Sequence, residues 1–395
     1  MSTSEATQLL SRFPLVDGHN DLPFTLRERV SYDFDRLDIA ERQPGLLTDI
    51  PRMREGRLGG QFWSVYVPSN LKRHEAVTGT LEQIDAVYRM VQRYPDAFEM
   101  AFSAEDVKRV FASGRIASLL GIEGGHAIEN SLGALRMFYR LGVRYMTLTH
   151  YDDTAWSSSA TDVGIEGGLS EFGHEVVREM NRIGMLVDLS HVSAETMRAA
   201  LRTATAPVIF SHSNCRALVD HPRNVPDDVL KQLSANGGVI MLSFITYFVS
   251  EDCARWRRIH DAGERERIGK VRPEISALAA VDSESRPVAR LSQVADHIEY
   301  ARDVAGIDHI GIGSDFYDGS ASMPEGLEDV STYPALFAEL MKRGWSEADL
   351  VKLAGGNILR ALSDVERHAQ RPTDRAKKVS QPTADVKPPP LSASR

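Results

Sequence analysis

The sequence contains little cysteine and no long apolar run, and each shortage excludes a class of protein. Its only cysteines, Cys215 and Cys253, are too few for a disulfide scaffold and are typical of a reducing compartment. No segment approaches the ~18 consecutive apolar residues of a membrane span. The N-terminal residues have no basic stretch followed by an apolar one, so we expect no secretory signal. We therefore predict a soluble, cytoplasmic protein.

Clustered positive charge is also absent. Lysines and arginines are scattered along the chain, and the formal net charge is −9 at pH 7. Nucleic acids and anionic membranes both require a basic surface, so neither is an expected partner. Hydrophobic residues (42%) and charged residues (26%) are close to the globular average, which excludes wholesale disorder.

Short apolar runs alternate with amphipathic stretches through most of the 395 residues. Eight of the runs are predicted strands, at residues 15–19, 62–67, 116–123, 144–150, 185–191, 208–212, 238–243 and 309–315. This alternation places the chain in the α/β class and favours a (β/α)8 TIM-like barrel over residues 13–368. A doubly wound open sheet would show the same alternation, so periodicity alone does not choose between the two.

Boundary signals and breaks in the pattern complete the organisation. One helix is predicted to begin at Pro226 and end at residues 236–237, and another to begin at Ser346 and end at residues 355–356. Residues 1–12 are predicted to be an N-terminal extension. Residues 20–60 and 244–290 are predicted insertions, and we interpret the charged run 251–274 as a solvated helix. Residues 369–395, with five prolines and no apolar periodicity, predict a disordered tail.

Histidines and acids follow the predicted strands. His19 and Asp21 are two residues apart in an extended segment, so both side chains point to one side and could share one cation. Five other predicted strands end in similar residues: Glu123, His150, His191, His212 and Asp315. The carboxyl ends of barrel strands converge on one face, where the active site lies. Nitrogen and oxygen ligands without thiolates suit zinc or another borderline divalent metal.

Two metals that share a carboxylate, about 3.5–4 Å apart, would use this number of ligands. The alternative is that each histidine is simply capped or hydrogen-bonded at the end of its strand. Asp188 is out of phase with His191, so we expect it to face away from the barrel interior and to serve a helix or loop. We interpret His221, which precedes Pro222, as a candidate for the rim of the site.

The sequence resembles the renal (membrane) dipeptidase family of metallopeptidases, within the amidohydrolase-like barrels. The stretches that carry the resemblance lie between residues 15 and 360 and follow the order of the family: LVDGHNDLP, LLGIEGGHAI, VRYMTLTHYDDTAW, GMLVDLSHVS, PVIFSHSN, HPRNVPDD, GIGSDFYDG, PEGLEDVSTYP and LAGGNILR. The resemblance implies that His19 and Asp21 hold one zinc ion, that His191 and His212 hold a second, and that Glu123 bridges them.

The resemblance also implies roles around the metals. Asp315 would lie beside the first zinc and shuttle a proton from the attacking hydroxide to the leaving amine. His150 would polarise the scissile carbonyl and stabilise the oxyanion. Arg223 would pair with the terminal carboxylate of the substrate, and Tyr247 would lie near the substrate. A homodimer is the usual assembly of the family.

The predicted function is therefore a zinc-dependent dipeptidase in which a metal-bridging hydroxide attacks the peptide bond, including bonds to a C-terminal D-residue. One alternative is an amidohydrolase that acts on N-acyl amino acids, lactams or related small amides. Another is a metal-binding scaffold that has lost catalysis. The chain departs from its membrane-bound relatives at Asp152 and Asp153, which follow His150. We hypothesise that this acidic pair lies at the pocket wall and favours basic side chains.

Overall fold

Nine strands, nearly all of them buried along their length, form the centre of a computed structural model. The structure describes residues 2–71, 74–271, 285–317 and 323–369. The strands are β1 Leu15–Asn20, β2 Leu58–Tyr66, β3 Phe98–Met100, β4 Ile116–Glu123, β5 Val143–Thr147, β6 Leu186–Asp188, β7 Val208–Ser213, β8 Val239–Leu242 and β9 Ile310–Ile312. Continuous burial is typical of parallel strands that are covered on both faces.

Eight of these strands close into a parallel barrel. The order β2-β1-β9-β8-β7-β6-β5-β4 is completed by pairing between β2 and β4, from Gly60 opposite Ala117 to Tyr66 opposite Glu123. The closure confirms the TIM-like barrel and excludes the open sheet. The ninth strand, β3, pairs with the first residues of β4, below the point at which β5 begins. The sequence did not predict β3, because three residues are too few to show a period.

Helices cover the outer side of the barrel and the carboxyl ends of its strands. Their bounds are α1 Thr3–Arg12, α2 Leu22–Val30, α3 Ile50–Glu55, α4 Glu75–Arg93, α5 Ala104–Ala112, α6 Leu132–Arg140, α7 Glu171–Ile183, α8 Ala194–Thr203, α9 Asp227–Asn236, α10 Thr246–Val249, α11 Glu251–His260, α12 Ala262–Val271, α13 Leu291–Ala305, α14 Tyr333–Lys342, α15 Glu347–Val351 and α16 Asn357–Ala369. Within the described ranges, no helix combines the length and apolarity that crossing a bilayer requires.

Several strands end earlier than predicted. The predicted strands 144–150, 185–191 and 309–315 leave their ladders at Thr147, Asp188 and Ile312. His191 and Asp315 have φ values of 67° and 65°, a left-handed conformation that no strand contains. These two residues therefore lie in loops just beyond the strands.

The helix boundaries were predicted with mixed success. Helix α9 begins directly after Pro226 and ends at Gly237, as the sequence indicated. The helix that begins after Ser346 does not end at residues 355–356, because a π-helical segment, Lys352–Gly356, connects α15 to α16. Gly355 is required there for close packing: a Cβ would lie 2.4 Å from the carbonyl oxygen of Pro14.

The segments outside the barrel pattern have their own structure. Residues 3–12 form α1, which buries Ala6, Leu9 and Leu10 in the main hydrophobic core. The run 251–274 is helical as predicted but forms two helices, α11 and α12, up to residue 271, and Glu264 within it is not solvated, since it is only 4% exposed. Residues 272–274 lie outside the described residues. Of the predicted tail 369–395, all but Ala369 lies outside the described residues.

Candidate metal centre

The carboxyl ends of the barrel strands bring the predicted ligands into one cluster. His19 lies in β1, Glu123 ends β4 and His212 lies in β7, while Asp21 directly precedes α2. The remaining three lie in the loops after β5, β6 and β9: His150, His191 and Asp315. Three overlapping groups each bring three ligand atoms within 4.8 Å of one another: His19, His212 and Asp315; Glu123, His150 and His191; and His19, Asp21 and Glu123.

Glu123 lies at the centre of the cluster, and its two oxygens face different histidines. Oε2 lies 3.6 Å from Nε2 of His19 and accepts a hydrogen bond from Ser64 at 3.3 Å. Oε1 lies 3.0 Å from Nε2 of His191 and 3.5 Å from Nε2 of His212. A carboxylate shared by two metal ions requires this division of its oxygens between two sets of ligands.

The ring of His19 is oriented by Tyr145. The Tyr145 hydroxyl donates its single proton to the carbonyl oxygen of Gly18 at 3.0 Å. Its oxygen also lies 3.0 Å from Nδ1 of His19, so it accepts a hydrogen bond from that nitrogen. Nε2 of His19 then points into the cluster, and it has no hydrogen-bond partner among the described residues. Burial alone would lower the pKa of His19, but Tyr145 and the carboxylates of Glu123 and Asp21 raise it well above its usual value, so a metal ion there would take the place of the Nε2 proton. A buried nitrogen lone pair that faces carboxylates is a fitting metal ligand.

His212 is oriented in the same way by Asp188 through Ser211. Ser211 donates its hydroxyl proton to Asp188 at 2.6 Å, and its oxygen lies 2.8 Å from Nδ1 of His212. Asp188 also accepts bonds from the backbone of Ser190 and Ser211 and from the Thr147 hydroxyl. The expectation that Asp188 serves a helix or loop was therefore wrong, because most of its donors lie on the neighbouring strands β5 and β7. Nε2 of His212 is left facing the cluster without a partner in the described chain.

Burial sets the charge state of the cluster. It lowers the pKa of His150, His191 and His212 well below the usual value, so these imidazoles are neutral, the form that binds metals. Burial raises the pKa of Glu123. It also raises the pKa of Asp315, to about 7. Three neutral imidazoles and two carboxyl groups of raised pKa therefore meet in the cluster.

Two members of the cluster adopt strained backbone conformations. The left-handed φ values of His191 and Asp315 cost of the order of 1–3 kcal/mol each in residues other than glycine. Backbone hydrogen bonds hold both in place, from Ala160 to the carbonyl of His191 at 2.7 Å and from Asp315 to the carbonyl of His19 at 3.2 Å. Such strain persists where the position of a side chain is required, which agrees with a functional cluster.

A cavity of about 340 Å³ opens above the cluster. The cavity is lined by the four residues with predicted roles around the metals: His150, Asp315, Arg223 and Tyr247. Three of the predicted metal ligands also line it, namely Asp21, Glu123 and His191. The Arg223 guanidinium is 1% exposed and donates to the hydroxyl of Ser213 at 3.3 Å and to the carbonyl of His212 at 3.2 Å. No carboxylate of the described ranges lies within ion-pair distance of it. A buried guanidinium in this situation is suited to an anionic ligand.

Other cavity residues were not predicted from the sequence. They are Phe24, Glu28, Tyr66, Tyr151, Ile245, Phe248, Arg257 and Tyr317. Most belong to the two charged stretches that we interpreted as insertions, where no periodicity indicates which side chains face inward. His221 does not line the cavity: it is buried behind Arg223 and accepts a hydrogen bond from its backbone N–H at 3.2 Å.

The acidic pair after His150 does not lie at the cavity wall. Asp153 accepts hydrogen bonds from the backbone of Ser159 at 2.6 Å and of Gly164 at 2.8 Å, so it stabilises its own loop. Asp152 is half-exposed and faces Lys270 at 3.8 Å. The placement that we assumed for a preference for basic side chains was therefore wrong.

Comparison with known proteins agrees with this geometry. The model of the membrane dipeptidase family (peptidase family M19) matches residues 3–376. The chain belongs to this family. Membership makes it a hydrolase of the metallodipeptidase class.

Individual relatives have similar sequences and folds. Dipeptidase verJ from Clonostachys rogersoniana is 42% identical over 374 residues, which cover 92% of this chain and 87% of the relative. The probable dipeptidase PvdM from Pseudomonas aeruginosa has a TM-score of 0.80 at 26% identity, over 93% of this chain and 99% of its own. A metallopeptidase from Rhodobacter sphaeroides, solved with a phosphinate mimic of L-Ala-D-Ala, has a TM-score of 0.75 at 25% identity, over 89% and 99% of the two chains.

Proposed function

We propose that the protein is a zinc-dependent dipeptidase that recognises the free carboxylate of its substrate through Arg223. The observation that carries the proposal is the placement of this buried guanidinium in the same cavity as the cluster around Glu123. A cavity of this size accommodates a dipeptide. The arrangement favours small substrates with a carboxylate near the scissile bond.

Two zinc ions are the metals that this donor set fits, since it offers imidazole nitrogens and carboxylate oxygens and no thiolate. His19 and Asp21 would hold one ion, His191 and His212 the other, and Glu123 would contribute one oxygen to each. When bound, zinc supplies Lewis acidity that activates water and offsets negative charge on the reacting carbonyl.

The side chains of the cavity perform the remaining tasks. Arg223 binds the carboxylate and fixes the direction in which the dipeptide lies, with Tyr247 beside it. His150 donates a hydrogen bond to the carbonyl oxygen as negative charge develops there. Asp315, at the edge of the cluster, accepts a proton from the attacking water and delivers it to the leaving amine. The product amino acids then separate as a carboxylate and an amine.

We include dipeptides with a C-terminal D-residue in the proposed substrate class. The metallopeptidase from Rhodobacter sphaeroides was solved with a mimic of L-Ala-D-Ala, which supports a D-residue in that protein. In this chain, the cavity offers defined partners for the carboxylate and for the scissile bond of the substrate. The configuration of the C-terminal residue is not among the features of the substrate for which the described residues offer a defined partner.

The test is amino-acid release by the purified protein from matched L,L and L,D dipeptides, with added zinc and after chelation. Dipeptide amides and N-acyl amino acids serve as controls. We expect zinc-dependent release from the dipeptides, and much slower release from the amides, which lack the carboxylate. Release from N-acyl amino acids alone would favour the amidohydrolase alternative. No release from any compound, with two equivalents of zinc bound, would refute the proposal.

A further inference from the structure

A buried carboxylate outside the metal cluster connects the charged insertion to the substrate cavity. Glu264 lies in α12 and is 4% exposed. Its Oε1 accepts a hydrogen bond from Nε2 of His221 at 3.0 Å. Its Oε2 lies 3.0 Å from an Arg267 nitrogen and 3.6 Å from Nε of Arg257. Three basic side chains from different parts of the chain therefore meet at one acidic side chain, two by hydrogen bonds and Arg257 by charge.

Both arginines stack on tyrosines of the cavity wall, and Arg257 also lines the cavity itself. The guanidinium carbon of Arg257 lies 3.8 Å from the ring centroid of Tyr247. That of Arg267 lies 4.7 Å from the ring centroid of Tyr151. Cation–π contacts of this kind fix the plane of an aromatic ring when the cation itself is held in place. Glu264 pairs with both cations, and Asp261 also pairs with Arg257 at 3.4 Å, so Glu264 contributes to the positions of both tyrosines.

His221, the third partner, connects Glu264 to Arg223. The backbone N–H of Arg223 donates to Nδ1 of His221, so that nitrogen carries no proton. Burial lowers the pKa of His221, which keeps the ring neutral, with its proton on Nε2. The chain of hydrogen bonds then runs from Arg223 through His221 to Glu264.

The electrostatics keep this carboxylate charged although it is buried. Burial alone would raise the pKa of Glu264, but the hydrogen bond from His221 and the charges of Arg257 and Arg267 hold the pKa at about 2. An anion in this position stabilises the positive charges of Arg257 and Arg267 beside the tyrosines of the cavity wall. Its contacts do not extend to the metal cluster.

We propose that Glu264 is a positioning residue for substrate binding. It positions Arg223 and Tyr247 in the half of the cavity that receives the free carboxylate. It does not affect metal binding, because the ligands are positioned by the barrel strands. The inference rests on the proposed function, because it assumes that Arg223 binds the substrate carboxylate. It assigns a task to the charged insertion that its sequence did not indicate.

The test compares Glu264→Gln with Glu266→Gln in the zinc-loaded enzyme. Glu266 is an exposed carboxylate two residues away in α12, so its variant removes the same charge from the same helix. For a dipeptide, we expect Glu264→Gln to raise KM about tenfold while kcat and zinc content change little, since binding and not chemistry loses a support. For the matching dipeptide amide, which has no carboxylate for Arg223, we expect a much smaller change. Glu266→Gln should behave as wild type.

The outcomes separate the inference from the proposed function. An unchanged KM in a folded Glu264→Gln enzyme would overturn the inference, and so would a joint loss of kcat and zinc. An equal effect on the dipeptide and its amide would also overturn it. If the wild type hydrolyses no dipeptide, the proposed function fails and the inference fails with it. Should Glu264→Gln not fold, Arg257→Lys replaces it: loss of the planar stack on Tyr247 should raise KM in the same selective way.

Discussion

The hydrogen bonds from Asp188 to His212 predict that Asp188→Asn weakens metal binding without any change in a ligand. Asp188 is buried and accepts four hydrogen bonds. An amide there must turn its N–H groups toward the hydroxyls of Thr147 and Ser211, because the backbone N–H groups at the other oxygen cannot accept a hydrogen bond. Both hydroxyls then accept from the amide, and the reversal reaches the metal ligand through the hydroxyl of Ser211. That hydroxyl would then donate to Nδ1 of His212 and move the imidazole proton to Nε2, where it blocks coordination.

The expected size follows from the orientation of the ligand. Loss of a group that orients a metal-binding histidine costs about 10–100-fold in metal affinity, which corresponds to about 1.4–2.8 kcal/mol. Zinc affinity is measured by competition with a chelator, and peptidase activity is measured against free zinc. We expect activity to return at high zinc, since every ligand is still present. The control is Thr147→Val, which removes another donor to Asp188 and should reduce stability by about 1 kcal/mol with zinc affinity retained.

Two results would refute this reasoning. Zinc affinity in Asp188→Asn within twofold of wild type would show that the tautomer of His212 does not depend on this carboxylate. Equal loss of affinity in Thr147→Val would show that general damage to the barrel, and not the path through Ser211, causes the effect.

Further predictions concern other parts of the site. Arg223→Ala should raise KM for dipeptides at least about 30-fold, since loss of a buried charge partner costs about 2 kcal/mol or more, while zinc content measured on the same sample is retained. Gly121→Ala should lower the free energy of unfolding by about 1–3 kcal/mol, because its Cβ would lie 2.0 Å from the Tyr145 ring; chemical denaturation measures this. Asp153→Asn should destabilise the protein by about 1 kcal/mol through lost loop bonds, and neither it nor Asp152→Asn should alter the order of preference among dipeptides; a shift toward neutral side chains would contradict this.

The strands and the residues at their ends could be predicted because both depend on short-range patterns, whereas periodicity left the choice between a closed barrel and an open sheet undecided. Apolar runs identify buried strands, and a residue such as His212 at the end of a run must lie at the carboxyl end of the barrel. The exact ends of β6 and β9 were not predictable, because the left-handed residues that follow them, His191 and Asp315, are held by backbone bonds with Ala160 and His19, which are distant in the sequence. The local conformational preferences of His and Asp do not indicate these contacts.

Long-range polar contacts were the other part that the sequence could not reveal. Asp188 was misjudged because its donors Thr147 and Ser211 are supplied by neighbouring strands, which only the closed sheet brings together. Glu264 was taken as one of many solvated charges, because a run of alternating charges in α11 and α12 does not show which member is buried. The roles of Asp188 and Glu264 both depend on how deeply the side chain is buried and on which residues contact it. Neither can be deduced from a single segment of the sequence.

The two networks support different halves of the site, which predicts that their effects add. Asp188 acts on the metal ligands from within the barrel, whereas Glu264 acts on the carboxylate pocket from the insertion. They meet where Arg223 donates to the backbone carbonyl of His212, at 3.2 Å. Because that carbonyl belongs to the backbone, a change in the tautomer of the His212 ring leaves the carbonyl oxygen in place. The double variant Asp188→Asn/Glu264→Gln should therefore bind zinc as weakly as Asp188→Asn does. Its KM at saturating zinc should equal that of Glu264→Gln. Additivity within about 0.5 kcal/mol is typical of independent sites. A larger coupling energy would show that metal binding and substrate binding share one network, contrary to the separation argued from these contacts.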